Sequence, residues 1–325
     1  MNKLKKYVSP LLGKVLLISQ LSAQVDSNIY KKFTSKIIQV DEYHINVEVL
    51  GQGDPVFFFP GGPGNSHDYM QGNFGHYYKS HKVVFIDFLG RGSSDNAKSI
   101  DEYSIDNDVR VTEEVRKALK LEKISLVGHS YGTVIAQAYA IKYKENVNKM
   151  VLINGFHSGE MWQANCDSYN HYSKTHFPEI WKKIDSLRTL GYVSSDTVFR
   201  NVYGKLPTKY IYYHNTQIKQ HLPKTKHRSW NNDVYYGIIG RDADFFVGGN
   251  MIDTDFRRQL ADLNIKTLII GGRYDGVSPP EYAFQYKTFM PQAKFVMFEN
   301  SGHNPYLEEP EKFYSLMDEF LGIKK

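Results

Sequence analysis

The sequence predicts an α/β fold: a mostly parallel sheet flanked by helices, with a helical lid inserted late in the chain. Three observations carry this. Short apolar runs of strand length alternate with helix-length segments through the first half of the chain and again near its end, the rhythm a mostly parallel sheet requires. A serine stands between two glycines at Gly128-His129-Ser130-Tyr131-Gly132, after an apolar run and before a segment, 133–144, without proline or glycine. From 157 to about 250 the alternation stops and aromatic residues become dense, so residues 24–156 and 251–325 read as the core and 157–250 as the lid.

Segments 36–40 and 45–50 read as an opening hairpin around the turn Asp41-Glu42-Tyr43-His44. Residues 55–59, Pro-Val-Phe-Phe-Phe, are continuously apolar and predict a buried strand. Pro60-Gly61-Gly62-Pro63-Gly64 follows, where glycines allow backbone N–H groups close to a substrate oxygen. Apolar or small residues at helical spacing predict a helix over 106–119, and strands are predicted over 124–127 and 147–153. Beyond the lid, 266–270 and 294–298 are strand candidates. The lid tyrosines, among them Tyr210, Tyr212, Tyr235 and Tyr236, fit either packing onto the core or a pocket for an apolar or ring-bearing substrate.

Strand, Gly-x-Ser-x-Gly and helix together form the setting of a nucleophile elbow. The turn is sharp enough to strain the serine backbone and to exclude side chains at the flanking positions. It presents the hydroxyl beside a helix N-terminus, which favours developing negative charge. A serine hydroxyl needs a base in contact, and the base needs an orienting acid. Asp275 lies just past the 266–270 strand, in Gly271-Gly272-Arg273-Tyr274-Asp275-Gly276, where parallel sheets place functional groups. His303 follows the last strand in a loop bounded by Gly302 and Pro305. The chain order Ser130, Asp275, His303 is the order in which such a fold carries nucleophile, acid and base. The glycine loop after 55–59 and the Tyr131 N–H are the expected halves of an oxyanion hole.

These residues resemble the α/β-hydrolase superfamily, and more narrowly the proline iminopeptidase group of serine peptidases. The resemblance rests on Pro60-Gly61-Gly62-Pro63-Gly64, on Ser66-His67-Asp68-Tyr69, and on residues 83–94 with their Asp87-Phe88-Leu89-Gly90-Arg91-Gly92-Ser93-Ser94 turn. It rests also on Gly272-Arg273-Tyr274-Asp275 and Ser301-Gly302-His303. It covers roughly residues 36–322 and is weak in the middle. It implies an α/β-hydrolase fold, Ser130 as nucleophile, Asp275 as acid, His303 as base, and the Gly62 and Tyr131 N–H groups as the oxyanion hole. Two departures stand out. Pro60 occupies the first loop position, where the group has histidine, so whatever that side chain orients must be held otherwise. The group also grips the substrate's free amine with acidic side chains from the lid. Asp244, with Asp242 beside it, matches one of these, while Gln217-Ile218-Lys219-Gln220-His221 offers no second acid. Asp87 and Arg91 read as an ion pair shaping their turn.

The 325 residues, 41% of them hydrophobic, suffice for one large core with a lid. A net charge of +5 without a basic, aromatic-interleaved stripe argues against nucleic-acid binding. The single cysteine, Cys166, forms no internal disulfide. No histidine pattern suggests zinc, so neither metal nor cofactor is expected. Lys3, Lys5 and Lys6, an apolar stretch over 8–18 and the small-residue site ending at Ala23 resemble a secretory signal peptide over 1–23. The enzyme would then be periplasmic or secreted, with no stable membrane span after processing. An amphipathic N-terminal helix on a cytoplasmic protein is the alternative reading. Three functions follow: an aminopeptidase on small peptides, an esterase or amidase on a small molecule, or a ligand-binding receptor with a slow triad.

Overall fold

A computed structural model describes residues 28–218 and 229–323. The signal-like segment 1–23 and residues 219–221 of the segment that offers no second acid lie outside the described residues. Among the described residues eight strands form one sheet: β1 (Thr34–Val40), β2 (Tyr43–Leu50), β3 (Pro55–Phe59), β4 (Lys82–Ile86), β5 (Ile124–His129), β6 (Val147–Ile153), β7 (Lys266–Gly272) and β8 (Lys294–Phe298). Their order is β1-β2-β4-β3-β5-β6-β7-β8. The pairs β1–β2 and β2–β4 are antiparallel, and every pairing from β4 to β8 is parallel.

Side chains of a strand alternate between the two faces of the sheet, and the apolar runs divide accordingly. Phe57, Phe59, Leu126 and Leu152 join one buried cluster, while Val56, Phe58, Val127 and Val151 join another. Both faces are covered, which explains why the central strands read as unbroken apolar runs. The hairpin is tighter than its predicted turn. β1 and β2 continue until Val40 pairs with Tyr43, because Asp41 adopts φ 52° and lets the chain reverse over two residues.

The helix Ile105–Ala118 starts at Ser104, whose hydroxyl accepts the Asn107 N–H at 3.1 Å; Asp106 and Asp108 lie in its first turn and Arg116 and Lys117 in its last. Side-chain cap and charges both match the unpaired ends of a helix. The helix Tyr131–Lys142 begins two residues before the predicted start, immediately at the turn after β5. Between β6 and β7 the described residues form helices, including Gly159–His176, Pro178–Thr189 and Asn232–Ile239, and no strand of the sheet. Part of it has its own small core of Trp181, Ile184, Phe199, Tyr203 and Leu206.

One core group makes stability pH-dependent. His157, after β6, is fully buried, with its ring centroid 5.2 Å from that of Tyr286 and 5.3 Å from that of Phe289. Burial, with help from the Arg257 charge, pushes its pKa down from 6.5 to about 4. The unfolded ring takes up a proton that the folded ring refuses, so this contribution is complete above pH 6.5 and is lost as pH falls toward 4. His157→Phe should therefore flatten the fall in unfolding free energy between pH 7 and pH 5 by about 2 kcal/mol. Urea unfolding of both proteins at the two pH values measures it; parallel losses would exclude His157 as a source.

Candidate active site

The turn after β5 has the strain its glycines imply. Ser130 adopts φ 55° and ψ −124°, unusual for a residue with a side chain. Its N–H donates to the Ile153 carbonyl of β6 at 2.9 Å, pinning the turn to the sheet. A Cβ on Gly128 would overlap the Gly132 carbonyl, and one on Gly132 would overlap that of Phe59. Close packing of turn, helix and β3 therefore demands both glycines. Tyr131 opens the helix, so its N–H has no carbonyl one turn behind it.

Asp275 lies three residues past β7. Its Oδ1 accepts the N–H groups of Val277 and Ser278, both at 2.8 Å, and its Oδ2 lies 2.8 Å from His303 Nδ1. Asn154 Nδ2 also donates to Oδ2, at 2.6 Å, and to the Gly302 carbonyl at 3.1 Å. With Nδ1 facing a carboxylate, the ring donates from that nitrogen and keeps Nε2 as an acceptor, the tautomer a general base needs. Asn154 ties the Asp275 loop to the His303 loop from the end of β6, with φ 46°. Sequence reading missed it, because an asparagine after a strand looks like an ordinary turn residue.

Ser130 and His303 line one cavity of about 670 Å³ together with Gly62, Trp230, Tyr235 and Asp244. The inter-strand helical segment forms part of its wall: His303 N–H donates to the Tyr212 carbonyl at 2.8 Å, and the two rings meet edge to face at 5.5 Å.

The glycine loop is held without the histidine that Pro60 replaces. The Gly61 N–H donates to the Tyr69 hydroxyl, and Arg91 Nε donates to the Pro63 carbonyl. Arg91 does not pair with Asp87, as its turn suggested. Its guanidinium forks onto Asp108 at 2.7 and 2.9 Å, and Asp108 Oδ2 accepts the Tyr131 hydroxyl at 2.9 Å. The planar fork fits a carboxylate edge on the facing helix, and Asp87 already has other partners. It lies 2.7 Å from His67 Nδ1 and accepts from Asn46 Nδ2 and the Ser93 N–H, each at 3.0 Å. Burial by itself would lower the His67 pKa, but Asp87 and Glu48 outweigh it and push it up to about 10. Burial opposes ionisation of Asp87 too, and the His67 charge overcomes it, holding that carboxyl down to about 2. The Arg91–Asp108 pair thus spans both expected oxyanion elements, the glycine loop and Tyr131.

The two candidate amine ligands part company. Asp242 forms a two-pronged pair with Arg188, both contacts at 2.7 Å, and is not among the cavity-lining residues. Its carboxylate is thus engaged by the Arg188 guanidinium. Asp244 does line the cavity, and burial pushes its pKa up to about 6, with Ser194 opposing and Asp242 adding to the rise. Cys166 lines the same cavity, its Sγ 3.3 Å from the Ala243 carbonyl and its thiol pushed up to about 12 by burial.

Similarity to known proteins agrees with this architecture. A proline iminopeptidase of Heyndrickxia coagulans is 29% identical over 274 residues, covering 83% of this chain and 91% of the relative. One from Saccharolobus solfataricus is 28% identical over 295 residues, covering 88% and 90%. The crystal structure of a Mycobacterium smegmatis proline iminopeptidase superposes with TM-score 0.71 at 19% identity, over 89% of this chain and 98% of that one, a likeness of fold. Residues 54–310 match the family model described as alpha/beta hydrolase fold. Spanning well over half of the sequence, that match makes this chain a member of the alpha/beta hydrolase family, and a hydrolase.

Proposed function

We propose that the chain is a serine hydrolase working through an acyl-serine intermediate, and that it is an aminopeptidase of the proline iminopeptidase type acting on small peptides. The observation that carries this is that Ser130, His303 and Asp244 all line one cavity, with Asp275 bonded to His303 Nδ1. In the proposed reaction His303 Nε2 takes the Ser130 proton as the oxygen attacks the scissile carbonyl. The N–H groups of Gly62 and Tyr131 receive the developing oxyanion. His303 then returns the proton to the leaving amine, and water releases the acyl group by the same steps in reverse. Asp275, fixed by two backbone N–H groups, stabilises the transient imidazolium.

Asp244 supplies the specificity in this reading, by binding the substrate's ammonium. One carboxylate holds an ammonium less firmly than two, which keeps an esterase or amidase as the second reading; the capture of Asp242 by Arg188 favours it. Residues 157–250, between β6 and β7, are proposed as the lid, since they carry Asp244 and most of the cavity's aromatic lining. Among the described residues no helix is long and apolar enough to cross a membrane. Export rests on residues 1–23, whose lysines, apolar stretch and small-residue site fit a cleaved signal.

Comparing a proline naphthylamide with a nitrophenyl acetate tests the assignment. Asp244→Asn should cost roughly tenfold to a hundredfold in kcat/KM on the amine-bearing amide and leave the ester within about twofold, as loss of one charge-assisted contact predicts. In the parent enzyme the amide-to-ester ratio of kcat/KM should fall as pH drops below about 6, where Asp244 takes up its proton. The ratio should be flat in the variant. Equal effects on both substrates would replace the peptidase with the esterase reading, and a single burst of product followed by arrest would indicate a receptor.

A further inference from the structure

Two side chains, half-buried Tyr69 and buried His129, connect the glycine loop to the loop of the candidate base. Tyr69, in the helix Asp68–Phe74, accepts the Gly61 N–H at its hydroxyl. The same hydroxyl lies 2.8 Å from His129 Nδ1, and His129 Nε2 lies 2.9 Å from the His303 carbonyl. A carbonyl only accepts, so Nε2 carries the proton and Nδ1 is left as the acceptor. The Tyr69 proton goes to Nδ1, since its oxygen already receives the Gly61 N–H. All the donors therefore run one way: Gly61 N–H to Tyr69, Tyr69 O–H to His129, His129 Nε2–H to His303. His129 and His303 rings lie 4.8 Å apart, and His129 is 4% exposed. Burial, with the neighbouring His303, pushes the His129 pKa down to about 3, so the ring stays neutral through the working range. A Cβ on Gly61 would come within 2.6 Å of Ser130 Cβ, which shows how closely this strand of backbone passes the nucleophile.

We propose that His129, the residue before the candidate nucleophile, is a positioning residue that together with Tyr69 locks the oxyanion loop to the base loop in one register. The proposal rests on the serine hydrolase reading for its kinetic consequences, but its tautomer stands apart from it. A neutral imidazole with one acceptor and one donor facing opposite partners does here what a structural apolar residue cannot. It fixes two loops that approach from different strands, β3 and β8, relative to the turn after β5. Glutamine offers the same pair, a carbonyl oxygen and an N–H, and leucine offers neither.

Steady-state kinetics of Tyr69→Phe, His129→Leu and His129→Gln, with unfolding measurements on each, provide the test. Tyr69→Phe and His129→Leu should lose tenfold to a hundredfold in kcat with KM within about threefold, and should bind an aldehyde that captures the serine more weakly by a similar factor. His129→Gln should recover most of both. Variants that keep kcat within twofold, or a glutamine variant no better than leucine at equal stability, would overturn the proposal. A fluorophosphonate adduct at Ser130 in the parent enzyme checks the underlying reading separately. If the adduct fails to form, nitrogen chemical shifts of His129 still decide: a protonated Nε2 beside an unprotonated Nδ1 supports the lock, and the opposite tautomer or a doubly protonated ring refutes it.

Discussion

Ser130→Ala is expected to lower kcat/KM by ~10⁴ to 10⁶-fold, the range seen when the nucleophile of a triad is removed. The fold should survive. The strained backbone at φ 55° is held by the Ile153 carbonyl and by glycine-enabled packing, not by the hydroxyl. Alanine also pays the left-handed penalty and adds no volume, so unfolding free energy should stay within about 1 kcal/mol. Loss of the fluorophosphonate adduct should accompany the loss of rate. A variant that retained near-normal turnover would move the nucleophile to another side chain and remove the basis of the proposed function.

Arg91→Met is expected to be the most damaging substitution for stability among the polar residues of the site, costing about 3–5 kcal/mol. That is the range for stripping one partner from a buried ion pair. Arg91 and Asp108 are 2% and 1% exposed, so water cannot replace the guanidinium. Burial already raises the Asp108 pKa against the pull of Arg91. Without that pull the carboxyl protonates more readily, and the cost should shrink as pH falls. The Pro63 carbonyl would lose its donor, and Asp108, which accepts the Tyr131 hydroxyl, would lose its counter-ion, so kcat should drop even where the variant remains folded. Combining Arg91→Met with Asp108→Leu should restore much of the stability by removing the orphaned carboxylate, though not the rate. Urea unfolding and kinetics on the three proteins measure both effects. A loss below 1 kcal/mol in the single variant would show that the pair is solvated.

The elbow was legible because its chemistry is local. Two glycines around a serine between a strand and a helix specify one turn, and the overlaps at Gly128 and Gly132 are the physical content of that pattern. The strands were legible for a related reason. Central strands buried on both faces must be apolar where they are buried, so β3 agrees with its predicted limits and β7 extends its prediction by only two glycines that pair with Met297 and Phe298; β6 and the half-buried edge strand β8 also keep their predicted limits. Partnerships between distant polar groups were not legible. Asp87 and Arg91 stand four residues apart and look like a pair, yet each finds its partner elsewhere, in His67 and Asp108. Asp242 and Asp244 stand two apart and look equivalent, yet one faces Arg188 and the other the cavity. Asn154 carried no local signal, and Tyr69 stood only within the run Ser66-His67-Asp68-Tyr69, with nothing to mark its partners.

By itself the sequence determined the class of fold, the sharp turn at Ser130 and the chain order of the candidate nucleophile, acid and base. These depend on hydrophobic periodicity and on steric demands within a few residues. Only the tertiary structure decided which carboxylates are paired with a cation and which lines the cavity, and how the glycine loop is braced without a histidine. Those outcomes depend on which buried charges and hydrogen-bonding groups meet when strands and helices far apart in the chain are packed against one another.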